Sequence, residues 1–123
     1  MIPADFADPA ADFEAVRAMF APFHGHPCSE DLTVEIRPYG GVRCGDYTLK
    51  GASNSLTAFH CHGGAFVSTR LDEYHFYAGI IAQHTDCRVV MPDYRLAPEH
   101  PYPAAADDCF PAYCGLLEQG TLP

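Results

Sequence analysis

Apolar residues recur with helical spacing near the start of the chain, where Phe13, Val16 and Phe20 fall on one face of residues 8–23. This pattern predicts an amphipathic helix. Pro22 and the His-Gly-His-Pro segment that follows it are expected to end that helix.

Alternation of apolar and polar residues over 32–36 is typical of a half-exposed strand. A weaker strand pattern covers 42–49, and the Pro-Tyr-Gly-Gly turn between the two favours an antiparallel hairpin. Two later runs, 56–61 and 87–91, are apolar without alternation and are predicted to be strands buried on both faces. A helical pattern over 72–84 separates them, so the segment predicts a βαβ unit with parallel strands.

The helix over 72–84 is expected to be capped by Thr69 or Asp72. Its predicted buried stripe is Phe76, Tyr77, Ile80, Ile81 and His84. A last helix is predicted over 104–117, and Pro111 within it requires one of two arrangements. Either the proline kinks the helix, or the helix begins late enough for the proline to fall in its first turn.

Composition places the chain among globular domains, because 123 residues with 48% hydrophobic and 19% charged residues suffice for one core. The formal net charge of −9 disfavours nucleic acid and anionic membrane surfaces as partners. No apolar run approaches the roughly 18–20 residues of a spanning helix. The N-terminus lacks the features of a secretory signal, so a cytoplasmic protein is expected. The six cysteines of the chain form no Cys-x-x-Cys pair. They are interpreted as reduced core thiols, with Cys61 and Cys87 inside predicted strands.

The segment His62-Gly63-Gly64-Ala65 follows a predicted buried strand and precedes a predicted helix. In acyl transfer the carbonyl oxygen becomes negatively charged, and backbone N–H groups aimed at it can contribute about 3–4 kcal/mol each. Glycines allow the backbone to turn sharply and to approach a substrate closely. The segment therefore indicates an oxyanion hole, and a plain tight turn between strand and helix is the alternative.

A second motif decides between these interpretations. Residues 93–105 read Asp-Tyr-Arg-Leu-Ala-Pro-Glu-His-Pro-Tyr-Pro-Ala-Ala. They resemble the D-Y-R-L-A-P-E-H-P-F-P-A-A stretch of the hormone-sensitive-lipase family of α/β-hydrolases. Residues 59–66 resemble the H-G-G-G-F loop of that family, at the family's spacing, and the chain is identified as a member.

The resemblance implies that Gly63, Gly64 and Ala65 form the oxyanion hole, with Gly63 shaping the turn. It implies that His62 braces this loop and is not the catalytic base. Ala65 departs from the family, which usually has glycine there. If that position needs a positive φ, the alanine costs about 1 kcal/mol or more.

Three charged residues of the second motif, Asp93, Arg95 and Glu99, are predicted to brace their loop. A loop with three prolines lacks ladder hydrogen bonds, and charged side chains can satisfy its buried backbone groups instead.

The family's nucleophile is a serine in G-D-S-A-G, followed by an aspartate and a histidine. The serines here are Ser29, Ser53, Ser55 and Ser68, and none lies in G-x-S-x-G. All three triad members are expected to be missing from these residues. The strand over 56–61 would then lack the neighbour that precedes the serine in the family sheet, so the isolated chain is expected to be poorly soluble or to need a partner.

The run His60-Cys61-His62 offers a competing hypothesis, because residues i and i+2 of a strand face the same way and two imidazoles can bind one Zn²⁺. Residues 24–28, His-Gly-His-Pro-Cys, would supply further ligands. No standard zinc spacing supports this, so no metal and no cofactor is predicted.

The sequence thus predicts an α/β protein, the N-terminal part of an α/β-hydrolase fold with a mixed sheet, a parallel βαβ unit and flanking helices. Residues 1–30 are expected to be a cap-like helical segment, and 31–123 to carry the early strands, the oxyanion loop and two helices. The expected function is half of a serine carboxylesterase acting on small-molecule esters, present as a fragment. A non-catalytic pseudoenzyme or binding module of the same family is the alternative, and a homo-oligomer is compatible with either.

Overall fold

A computed structural model describes residues 12–23 and 26–121 of the chain. The first helix is α1, and its final turn continues as a short 3₁₀ segment. The remaining part of the predicted helix, residues 8–11, lies outside the described residues. The elements are α1 (Phe13–Phe20), the 3₁₀ segment (Ala21–Phe23), β1 (Leu32–Tyr39), β2 (Val42–Leu49), β3 (Thr57–Phe59), α2 (Leu71–Thr85), β4 (Arg88–Pro92) and α3 (Ala104–Glu118).

The strands form one mixed sheet in the order β1-β2-β4-β3. β1 and β2 pair antiparallel along their full length, from Leu32 opposite Leu49 to Tyr39 opposite Val42. β4 pairs antiparallel with β2 and parallel with β3. The predicted hairpin, the parallel βαβ unit and the mixed α/β sheet are therefore confirmed.

Helices cover both faces of this sheet. α2 closes one core cluster, which consists of Tyr47, Leu71, Ala78, Ala82, Val89 and Met91. α3 closes the other, which consists of Tyr39, Cys44, Val90, Ala112 and Leu116. Strand β4 contributes to both clusters, because successive side chains of a strand point to opposite faces.

The contact between α3 and the hairpin turn is backbone against backbone. A Cβ on Gly40 would lie 2.0 Å from the carbonyl oxygen of Pro111, and a Cβ on Gly115 would lie 2.1 Å from the amide nitrogen of Gly40. Glycine is required at both positions for so close an approach. Pro111 lies inside a helix that begins at Ala104, so the alternative of a late helix start is wrong.

Two predictions for α2 are wrong. Neither Thr69 nor Asp72 caps the helix. Its N-cap is Arg70, whose amide donates to the Glu73 carboxylate at 3.1 Å. The residues that α2 buries are mostly small, namely Leu71, Ala78, Gly79 and Ala82, whereas Tyr77, Ile80 and His84 of the predicted stripe are exposed. Small side chains let the helix backbone approach the sheet, which places the larger ones on the opposite side.

Strand β3 is shorter and less buried than predicted. It spans three residues, all of intermediate exposure, and Leu56 before it is 62% exposed. The reason is its place at the edge of the sheet, where the described residues provide a neighbour on one side alone. Cys61 and Cys87 lie outside the strands, and Cys61 is exposed, so the prediction of two core thiols in strands is wrong.

A buried ion pair that gave no sequence signal joins β1, β2 and β4. Arg88 donates to Asp46 through Nε at 2.8 Å, and the Tyr39 hydroxyl donates to the same carboxylate at 2.7 Å. Burial raises the pKa of Asp46, but the hydrogen bonds from Arg88 and Tyr39 outweigh it and hold that pKa below its ordinary value. Asp46 is thereby charged and fully paired within the sheet.

Candidate functional site

Two loops leave the sheet at the same edge, because β3 and β4 are parallel and their carboxyl ends lie side by side. Residues 62–69, here called the glycine loop, connect β3 with α2. Residues 93–103, the proline loop, connect β4 with α3. The two loops touch where the hydroxyl of Tyr94 donates to the carbonyl oxygen of His62 at 2.5 Å.

Consecutive carbonyls of the glycine loop are bound by hydrogen-bond donors. The His62 carbonyl accepts from Tyr94, as above, and the Gly63 carbonyl accepts from the Thr69 hydroxyl. The Gly64 carbonyl accepts from the Ser68 hydroxyl and the Ser68 amide, both at 2.9 Å. Three carbonyls in a row are therefore held towards the body of the protein.

The same bonds determine where the amides point. In a trans peptide the C=O of one residue and the N–H of the next lie on opposite sides of one rigid plane. Fixing the carbonyls of residues 62–64 therefore directs the amides of Gly63, Gly64 and Ala65 to the other side. None of these amides donates to another described residue. Gly63 and Ala65 are exposed, so solvent or a ligand can reach this row of donors.

This arrangement needs an unusual backbone. Gly64, Ala65 and Phe66 have φ values of 122°, 55° and 63°. Only glycine adopts positive φ without strain, so Ala65 meets the condition under which its side chain is costly. A Cβ on Gly64 would lie 2.1 Å from the carbonyl oxygen of Ser68. Gly64 is therefore required by conformation and by space.

His62 supports the loop from below. The residue is only 4% exposed, and its ring stacks on the ring of Tyr94 with centroids 4.2 Å apart. Nδ1 lies 3.0 Å from the Gly63 carbonyl oxygen, which assigns the ring proton to Nδ1. Burial lowers the pKa of His62, so the ring is neutral at neutral pH. It positions the loop and makes no contact with a nucleophile.

Of the charged residues predicted to brace the proline loop, Asp93 contacts two elements. Its carboxylate accepts from Arg43 of β2, and it lies 3.4 Å from the amide of Leu71, the first residue of α2. Asp93 thus lies between the sheet and the start of the helix that follows the glycine loop.

Arg95 contacts a residue that the sequence did not single out. Its guanidinium forms bonds of 2.8–3.1 Å with the carboxylate of Asp108 on α3. The same carboxylate accepts the Arg95 amide at 2.9 Å. The loop backbone is therefore held by Asp108, and Arg95 neutralises it, which lowers the pKa of Asp108.

Glu99 likewise pairs with an unpredicted residue, Arg17 of α1. The guanidinium binds both carboxylate oxygens, at 2.8 and 2.6 Å. It also donates to the carbonyl of Val67 at 2.8 Å and to that of Ala97 at 3.0 Å. Arg17 therefore ties α1 to the glycine loop and to the proline loop at once. In the sequence, the one sign of this role is that Arg17 is an isolated basic residue in the predicted amphipathic helix.

An apolar cavity of about 480 Å³ opens beside Ala65. Its walls come from α1, both loops and the start of α3. Most of its lining is hydrophobic, including Phe13, Phe66, Val67, Pro98 and Tyr102. A cavity of this size next to a row of free amides suits a small molecule that has a polar centre and apolar substituents.

The zinc hypothesis places its ligands as follows. His60 and His62 each have a buried Nε2 with no hydrogen-bond partner among the described residues. His24 lies outside the described residues, and His26 packs against Phe76 with ring centroids 5.1 Å apart. Within residues 12–23 and 26–121, no three His, Cys, Asp or Glu side chains come together as a metal site.

The four serines do not form a hydrolytic centre within the described part of the chain. Ser68 is fully buried and its hydroxyl donates to the Gly64 carbonyl. The hydroxyls of Ser53 and Ser55 bond each other in a turn, and that of Ser29 accepts from the amide of Asp31. None of these serine hydroxyls is hydrogen-bonded to a histidine within the described residues.

Comparison with known proteins gives a consistent result. A family model described as the alpha/beta hydrolase fold matches residues 58–122. An esterase of Acinetobacter venetianus is 44% identical over 96 residues, which are 76% of this chain and 31% of that protein. An arylesterase of Saccharolobus solfataricus is 32% identical over 83 residues, which are 68% of this chain and 24% of that protein.

Solved structures agree in fold. An esterase from the bacterial hormone-sensitive lipase family superposes with a TM-score of 0.79 at 29% identity, over 95% of this chain and 40% of that one. The chain thus spans between about a quarter and a third of the length of these esterase relatives and two fifths of that solved structure. No helix among the described residues is long and apolar enough to cross a bilayer.

Proposed function

Because this chain belongs to the α/β-hydrolase fold family and is similar to its hormone-sensitive-lipase esterases, we propose that it supplies the oxyanion-hole half of a carboxylic ester hydrolase. The observation that carries the proposal is the row of amides at Gly63, Gly64 and Ala65. Their three preceding carbonyls are bound on the opposite side, so the donors are fixed before any substrate arrives. Fixed donors need no reorganisation when negative charge develops on an ester oxygen.

The proposed step is nucleophilic acyl transfer. An attacking oxygen forms a bond to the ester carbon, and the carbonyl π electrons move to the carbonyl oxygen, which becomes an oxyanion. The amides of the glycine loop donate to that oxygen. When the tetrahedral intermediate collapses, the bond between the ester carbon and the alcohol oxygen breaks, and the alcohol leaves with the proton that the nucleophile lost to a general base. His62 takes no part in proton transfer, because its Nδ1–H is committed to the Gly63 carbonyl and its ring is buried.

We place the nucleophile outside residues 1–123. The four serines of this chain are engaged in turns or buried, as described above. Its esterase relatives extend well beyond the matched region, which leaves room for a strand, a serine turn and the aspartate and histidine partners. The substrate would be a small ester whose apolar groups occupy the cavity beside Ala65.

Labelling the complete gene product with a fluorophosphonate, followed by peptide mapping, tests where the nucleophile lies. We expect hydrolysis of a short p-nitrophenyl ester and a single adduct on a serine beyond residue 123. An adduct on Ser29, Ser53, Ser55 or Ser68 would contradict the proposed division of the site. Absence of both turnover and adduct would instead favour the non-catalytic alternative.

The role of the amides is tested separately by nuclear magnetic resonance of the phosphonylated protein. The phosphonyl oxygen stands in for the oxyanion, so the amide protons of Gly64 and Ala65 are expected to move downfield when the adduct forms. The amide of Gly51, in the turn that follows β2 at the opposite edge of the sheet, is the control and is expected not to move. Unchanged Gly64 and Ala65 resonances would exclude them as oxyanion donors.

A further inference from the structure

Two cysteines from different elements meet behind the glycine loop. Cys61 lies just after β3, directly before His62, and Cys109 lies in the second turn of α3. The rings of Phe59 and Tyr113 mark the register of these elements, with centroids 5.6 Å apart in an edge-on contact. Two residues along an extended chain advance about 6.7 Å, and four residues along a helix advance about 6 Å. Cys61 and Cys109 are therefore each one similar step away from this ring contact, which places the two cysteines at matching positions along the two elements.

The thiols interact accordingly. The proximity of Cys109 lowers the pKa of the Cys61 thiol, and the proximity of Cys61 raises that of Cys109. Cys61 is exposed and Cys109 half-buried, so a small reagent can reach the first and the second lies behind it. Cys44, on β2, differs from both because it is fully buried and burial raises its pKa to about 11.

We propose that Cys61 and Cys109 are a reversible dithiol–disulfide pair, with Cys61 as the attacking thiol and Cys109 as the resolving thiol. The oxidant is a small-molecule disulfide of the glutathione class. The Cys61 thiolate attacks one sulfur of it, a mixed disulfide forms, and one thiolate leaves. Cys109 then loses its proton, attacks the Cys61 sulfur and releases the second thiolate. The protein loses two electrons and two protons, and the oxidant becomes two thiols.

The pair has a position from which it can affect the site. Cys61 is joined by one peptide bond to His62, whose carbonyl is the first of the row that directs the amides. A covalent link to α3 would restrict the start of the glycine loop. The expected consequence, which rests on the proposed function, is that oxidation changes ester hydrolysis and that dithiothreitol restores it.

The test uses the complete gene product equilibrated in glutathione buffers of increasing oxidising strength, then alkylated and mapped by mass spectrometry. We expect one peptide pair joined through Cys61 and Cys109, lighter by two hydrogen atoms and separated again by dithiothreitol. Cys61→Ser and Cys109→Ser should each abolish it. Cys87→Ser and Cys114→Ser, which change thiols of the same chain outside the pair, should leave it intact.

A second measurement does not require the disulfide to form. In the reduced protein, iodoacetamide should modify Cys61 about threefold or more faster than in a Cys109→Ala variant, because removing the neighbouring thiol raises the pKa of Cys61. Two free thiols in the most oxidising buffer, or a bond between Cys61 and Cys44, would overturn the proposal. An intact pair in a protein without esterase activity would contradict the proposed function alone.

Discussion

The two loops of the candidate site are held in place by different kinds of interaction. Neutral groups hold the carbonyls of residues 62–64 in the glycine loop: the hydroxyls of Ser68 and Thr69, which are nearby in the chain, and the hydroxyl of Tyr94 from the proline loop. The charged Arg17 contacts this loop at Val67, after the row of amides. The proline loop is held by charged groups from distant elements: Arg17, Arg43 and Asp108.

The difference follows from what each loop does. Donors that face a developing charge must be fixed to within a fraction of an ångström, and short, buried, neutral hydrogen bonds achieve this without depending on salt or pH. A loop that forms a cavity wall tolerates more movement, and exposed ion pairs are sufficient for it although salt screens them. Substitutions in the two loops should therefore differ in size and in their response to salt and pH.

The largest effect is expected from Gly64→Ala. The new Cβ would meet the Ser68 carbonyl oxygen at 2.1 Å in a backbone with φ of 122°. Strain and overpacking together should lower the free energy of unfolding by about 3 kcal/mol or more, as measured by chemical denaturation. Gly63→Ala is the matched control, because its Cβ would meet only the end of the Tyr74 side chain, at 2.9 Å. Equal losses in both variants would contradict this account of the loop.

Tyr94→Phe should have the next largest effect. It keeps the ring that stacks on His62 but removes the hydroxyl that binds the His62 carbonyl, leaving a buried acceptor without a partner. The expected cost is about 1–3 kcal/mol of unfolding free energy. Under the proposed function, kcat should fall as well, because the Gly63 amide loses its fixed direction. Tyr113→Phe, which alters a hydroxyl with no bond to a described residue, should change neither quantity.

Arg17→Met tests the ionic contacts that hold the proline loop. It removes bonds to Glu99 and to two backbone carbonyls, so we expect a loss of about 1–2 kcal/mol that becomes smaller as salt is added. Arg37→Met breaks an exposed pair with Glu35 on a single strand and should destabilise the protein less than Arg17→Met does. A salt-independent loss for Arg17→Met would indicate that packing, and not charge, holds this loop.

Ala65→Gly is expected to stabilise the protein. Relief of the positive φ of 55° should outweigh the greater freedom of glycine in the unfolded chain and add about 0.5–1 kcal/mol to the free energy of unfolding. Ala21→Gly, where φ is −52°, is the control and should destabilise. A loss at Ala65 would show that its methyl group contributes packing that exceeds the strain.

Local features of the sequence predicted much of this molecule. Hydrophobic periodicity and turn residues located β1 and β2, and two apolar runs around a helical pattern located the parallel pair β3 and β4. The glycines after β3 predicted a sharp turn of the backbone, which the positive φ of Gly64 provides, whereas the role of this loop as an oxyanion hole stays a prediction. Each of these signals lies within a few neighbouring residues.

The failures concern contacts between distant residues. Arg17 and Glu99 are separated by 82 positions, and nothing at either one predicts the other. The buried stripe of α2 was wrong for a related reason. Periodicity identifies a face but assumes that the largest apolar residues point inward, whereas Ala78 and Ala82 are the residues that meet the sheet.

The smallest effect, and the one that separates the loops most clearly, is the pH dependence of the Glu99 contribution. The hydrogen bond from Arg17 lowers the pKa of Glu99 from 4.5 to about 2. A carboxylate with a depressed pKa stabilises the fold above its unfolded pKa and loses that contribution as pH falls through the folded pKa. The difference in melting temperature between the wild type and Glu99→Gln should thus be constant above about pH 5 and shrink between about 4.5 and 2. Tyr94 stays protonated across this range, so the difference for Tyr94→Phe should remain constant there, as expected for a loop held by neutral groups.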